Sequence, residues 1–135
     1  MITLATLPNH TAQEVFDHIA KHLLTQGEAC KEIDDISEGP ICRYRNSDDQ
    51  SCAAGCLISP KEYHSYKFEG KGWTKLVEDK LVPQDHFELI DQLQRIHDCN
   101  PAEKWYKCLQ FLAKNSNLST ANLDSYAMEN NLVSV

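Results

Sequence analysis

A mainly helical α+β domain, four to six helices around a small β-hairpin or short β element, is the fold this sequence predicts, and three observations carry the prediction. Apolar residues recur every three to four positions across residues 15–24, 87–96 and 105–112, which is helical spacing. Only residues 41–45, Ile-Cys-Arg-Tyr-Arg, alternate apolar or aromatic with polar side chains as a short strand does. Helix punctuation stands where those patterns begin and end. At 135 residues the chain suits one domain, 1–135, able to bury roughly two thirds of its unfolded surface without staples.

Residues 1–7 read as an extended lead-in that Pro8 and Asn9 interrupt. Thr11 and Glu14 then have capping-box spacing, and the helix they open carries Val15, Phe16, Ile19, Ala20, Leu23 and Leu24 on one face. Gly27 ends it where a left-handed residue is wanted. His18 and His22 have metal-ligand spacing, but they fall toward the polar side and are read as surface groups. Residues 28–40 form an acidic connection with Ile33 and Ile36 as its strong apolar residues, either a weak strand paired with 41–45 or a lid loop.

Residues 41–60, ICRYRNSDDQSCAAGCLISP, are the unusual stretch. Strand alternation puts Cys42 and Tyr44 on one face and Arg43 and Arg45 on the other. The small run from Cys52 to Cys56 can press its backbone on a neighbour, with Leu57 and Ile58 as anchors, and is expected to be a short buried helix. Ser59, Pro60 and Glu62 have the spacing of a cap, first-turn proline and capping-box acid, so another short helix is expected from Pro60. Tyr63, His64, Tyr66 and Phe68 follow as an aromatic loop reaching Gly70 and Gly72.

Trp73, Leu76, Val77 and Leu81 describe a short helix closed by Pro83. Pro83 and Gln84 then open a longer one whose apolar arc holds Phe87, Leu89, Ile90, Leu93 and Ile96, with His86 and a half-buried His97 in the same arc. Asn100, Pro101 and Glu103 start the next helix, which buries Trp105, Cys108, Leu109 and Leu112 and pairs with its predecessor as a hairpin. Leu118, Ser119 and Leu123 lead into a last short helix with Tyr126 and Met128.

With 20 acidic against 13 basic residues and a net charge of −7, the chain lacks the basic surface that general nucleic-acid binding demands, and membrane association is disfavoured. The acids at 28–38 and at Asp48 and Asp49 read as a solvated loop, not a phosphate mimic. Neither a signal peptide nor a membrane span is expected, so the six cysteines are expected to be intracellular thiols.

Three chemistries compete for the central stretch. Cys30, Cys42, Cys52 and Cys56 could offer zinc four thiolates, but the gaps between them lack the usual two-residue knuckle, and small buried thiols packing a tight turn are favoured. Cys52, near Arg43 or Arg45, could be a nucleophile with His97 and Asp98 as its base. Neighbours on a helix point about 100° apart, however, which makes that relay awkward. Arg43, Tyr44 and Arg45, with His97, are the candidate ligand-binding set for a nucleotide-like anion, weighed against arginines that merely neutralise Asp48, Asp49 and the acidic loop. No glycine-rich phosphate loop, dinucleotide fingerprint or zinc-protease helix is present, and no cofactor is expected.

The succession HLLTQG, CRYR, CAAGCLI, Phe-Glu-Gly, LQRIHD and a Pro-x-x-x-Trp helix, over residues 15–112, resembles a family of small uncharacterised proteins of tailed phages, prophages and bacterial genomes. The resemblance implies a phage-associated origin and a place in the bacterial host cytosol, and it brings no activity with it. Its members often have a single glycine-flanked cysteine where this chain has Cys52 and Cys56, which argues against chemistry needing both. The expected function is a small binding protein that engages a host protein and inhibits or redirects it, anti-defence roles included. The alternatives are sequestration of a small anion and a cysteine-dependent hydrolase or transferase.

Overall fold

A computed structural model describes residues 2–33 and 40–132, among which it holds six α-helices and one two-stranded antiparallel sheet. The mainly helical α+β fold is therefore present. Among these residues no helix is long and apolar enough to cross a membrane.

Helix α1, Ala12–Gln26, is capped as its sequence dictates: the Thr11 side chain accepts from the Glu14 amide, and the Glu14 carboxylate accepts from the Thr11 amide. Gly27 closes it at φ 71°. The buried face is Val15, Phe16, Ile19, Ala20 and Leu23. Strand β1, Lys31–Ile33, pairs with β2, Pro40–Cys42, with Lys31 opposite Cys42, so the acidic connection does supply a strand. Part of that connection, including Ile36 and Glu38, lies outside the described residues.

The strand expected over 41–45 stops at Cys42. Arg43 makes one more bond, its amide to the Cys30 carbonyl, and Arg45 then bridges to Ser51. The buried helix expected at 52–56 is a single 3-10 turn, Gly55–Leu57. It stays short because its ends are claimed from outside: the Cys52 amide donates to the Tyr44 carbonyl, and Ile58 gives its carbonyl to the Arg45 guanidinium. The helix expected from Pro60 does not form; residues 60–62 make a turn closed on the Ser59 carbonyl. Glu62 closes the box on the Ser59 amide but also accepts from the Leu4 and Ala5 amides, fastening the N-terminal lead-in.

Within the expected aromatic loop, α2 (Ser65–Phe68) buries Phe68 and exposes Tyr66. Helix α3 is Trp73–Glu78 and α4 is Phe87–Cys99. Helix α4 begins after the predicted Pro83 because His86 sits at φ 60°, a left-handed conformation that the helix cannot pass through backwards. Helix α5, Trp105–Asn115, follows a 3-10 turn and packs against α4 as the predicted hairpin, and α6, Ala121–Glu129, docks on α1. One core joins the six helices, with Trp73, Trp105 and Phe16 its largest fully buried side chains.

Candidate functional site

Tyr44 and Cys52 belong to one knot. Their backbones bond at 3.2 Å, and a Cβ added to Gly55 would stand 2.2 Å from the Tyr44 carbonyl oxygen. Only glycine allows that approach. Cys52, Ala53 and Ala54 are completely buried around it, the packing their small size implied.

Distant polar side chains hold this knot by its backbone. Glu69 accepts the Tyr44 amide at 3.0 Å and the Arg45 amide at 3.2 Å, and takes the Tyr63 hydroxyl at 2.6 Å. Gln26 receives the Ser51 amide and donates to the Ser51 carbonyl, which also accepts from Nε2 of His22 at 2.9 Å. Gln94 of α4 accepts the Ala54 amide at 2.9 Å and donates to Asp98. Nothing nearby in sequence signals Gln26, Glu69 or Gln94 as fasteners, since each partner is 24 to 40 residues away. His18 and His22, read as surface groups, are instead half-buried against this segment. Burial holds both imidazoles below the ordinary histidine range, with the carbonyl bonds opposing that effect.

The candidate ligand-binding residues are committed internally. Arg43 donates to the Arg45 carbonyl and pairs with Glu32 at 3.1 Å, and the phenol of the buried Tyr44 donates to the Lys71 carbonyl at 2.6 Å. Arg45 gives Nη2 to Ile58 at 2.6 Å and lies over the Tyr63 ring. Arg45 Nε finds no partner among the described residues, and Arg43 and Tyr44 line a cavity of about 220 Å³ with Lys71, but Glu69 and Asp98 line it too, and their carboxylates disfavour an anion there. Of the acids expected to neutralise them, Glu32 of the acidic connection pairs with Arg43 and Asp49 lies 3.9 Å from Arg45, while Glu69, from outside that set, lies 3.9 Å from Arg43.

His97 is fully buried and its tautomer is fixed. Nε2 accepts the Cys30 amide at 2.8 Å, so the proton is on Nδ1, which donates to Asp98 at 2.7 Å. The awkward geometry expected of neighbouring His97 and Asp98 is thus corrected: the two do bond. The pair does not serve Cys52, however. That thiol is buried, accepts the Gly55 amide at 3.2 Å and is held well above the ordinary thiol range by burial.

The four cysteines of the zinc reading do not converge among the described residues. Cys30 donates to the Gln50 carbonyl and Cys56 to the Ala53 carbonyl, and burial raises the Cys30 thiol to about 12. Ligating atoms of Cys42, His97 and Asp98 do lie within 4.8 Å of one another. A metal there would need the Nδ1 lone pair, moving the proton to Nε2 against the Cys30 N–H at 2.8 Å, so two donors would face each other. Burial and the neighbouring Asp98 charge also raise the exposed Cys42 thiol. The hydrogen bonding therefore opposes metal binding.

Among the cavities open at the surface of the described residues is a furrow on the other side of α4. One stretch, about 520 Å³, runs between α4 and α5 over Ile96, Leu112, Cys108 and Phe111, and a second of about 640 Å³ continues past Gln92, Asn115 and Ser116 to Phe87 and Leu118. Phe111 is 70% exposed on it, and Cys108, expected in the core, is half-buried at its edge. Sequence reasoning followed the Trp105, Leu109, Leu112 face and passed over Phe111, whose apolar ring about 100° round the helix from Leu112 was the readable signal. Compared with protein-family models, curated proteins and solved structures, the chain matches none.

Proposed function

We propose that this chain is a small binding protein that engages a protein of a bacterial host and inhibits or redirects it, anti-defence roles included, as the phage-like resemblance suggests. The observation that carries the reading is the apolar furrow along α4 and α5 with Phe111 exposed on its wall. An exposed aromatic ring beside an apolar-floored furrow is the kind of surface that interaction sites use. Support also comes from the spent chemistry of the knot: the Cys52 thiol is buried, both His97 nitrogens are hydrogen-bonded, and Arg43 Nε and Arg45 Nη2 donate to the protein's own oxygens.

Affinity capture from bacterial lysate tests the proposal. A stoichiometric protein should be retained by the wild-type chain and lost with Phe111→Ser. Recovery of no such partner, together with a small anion released from the purified protein, overturns it in favour of sequestration.

A further inference from the structure

We infer that the furrow between α4 and α5 receives an amphipathic helix of the partner, its acidic end lying over Arg95 and Lys107. This rests on the binding function proposed above and specifies what is bound.

The floor is apolar and the walls are two helices whose backbone groups are already bonded internally, so an extended peptide would find no ladder of donors and acceptors to join. A helix carries its own backbone bonds and needs only a face to bury. From Phe87 to Ile96 the trough runs about 13 Å at 1.5 Å per residue, enough for anchors at i, i+4 and i+7 of a third helix packed into the hairpin.

The charges give that helix a polarity. The nine residues lining the α4–α5 stretch include Arg95 and Lys107 and no acid, in a chain of net charge −7. The one acid on the adjoining stretch is Glu88, at the far end. Among the described residues Arg95 pairs with Asp91 alone, one turn earlier at 3.3 Å, and its side chain is 76% exposed, so it can turn to a new carboxylate at little cost.

Fluorescence anisotropy with the full chain tests this, using labelled synthetic peptides of about 18 residues, long enough to sustain a helix over that span. Each has leucines at i, i+4 and i+7, and one has glutamates and the other lysines at the same end. The glutamate peptide should bind about fivefold tighter at low salt, the sum of two exposed ion pairs, and the preference should shrink as salt rises. Arg95→Glu with Lys107→Glu should reverse the preference, and Phe111→Ser should weaken both peptides about tenfold as a lost aromatic anchor does. These side chains are exposed, so an unchanged thermal midpoint confirms that the variants fold.

Equal binding of the two peptides, or indifference to Phe111→Ser, overturns the inference. So does a dimer that Phe111→Ser dissolves, which would make a second copy the occupant. Lysate capture lost with Phe111→Ser while neither peptide binds overturns the acidic helix alone; capture unaffected by that variant overturns the furrow as the binding face.

Discussion

Gly55 is the residue that the knot can least replace. Alanine there would put a methyl group 2.2 Å from the Tyr44 carbonyl oxygen, and because the obstacle is backbone, no rotamer change relieves it. Gly55→Ala should lower stability by about 3 kcal/mol, the upper end of the range for overpacking, read as a fall in the urea midpoint at constant m-value. The need for a small residue at 55 was legible from its run of small neighbours. The fasteners Gln26, Glu69 and Gln94 were not, because a side chain that bonds a remote amide leaves no pattern in its own neighbourhood. Caps are the opposite case: Thr11, Glu14 and Gly27 act within one turn of themselves, and their residue types announce it.

Among the elements, the joint between α4 and β1 depends on His97. Its Nε2 is the acceptor for the Cys30 amide, and its ring stacks on Trp105 of α5 with centroids 5.6 Å apart. His97→Phe keeps the stacking and orphans a buried N–H, so it should cost about 1–3 kcal/mol by thermal or chemical unfolding. His97→Gln retains an acceptor and should recover part of the loss; equal destabilisation by both variants would show that the hydrogen bond contributes nothing. Helix faces and the α4–α5 hairpin were readable from apolar spacing. The start of α4 was not, since a left-handed His86 is set by its bond to the His10 carbonyl 76 residues away. The strand at 41–45 was curtailed for a similar reason: Glu69 and Ser51 claim the backbone of Tyr44 and Arg45 that a longer ladder would have used.

The molecule as a whole should lose stability on mild acidification. His18 and His22 are held below the ordinary value of 6.5 by burial, so the folded state binds fewer protons than the unfolded one. Their contribution is complete above pH 6.5 and declines as pH falls below it toward the folded-state values. Urea midpoints measured between pH 7.5 and 5 should therefore fall, and His22→Gln, which can still donate to the Ser51 carbonyl, should flatten the profile; an unchanged slope in that variant would refute the assignment.

The residue just before the first strand is tied across the molecule, because the amide of Cys30 finds its acceptor 67 residues later, on His97. During synthesis that bond, like the one from the Ala54 amide to Gln94, cannot form until α4 has left the ribosome.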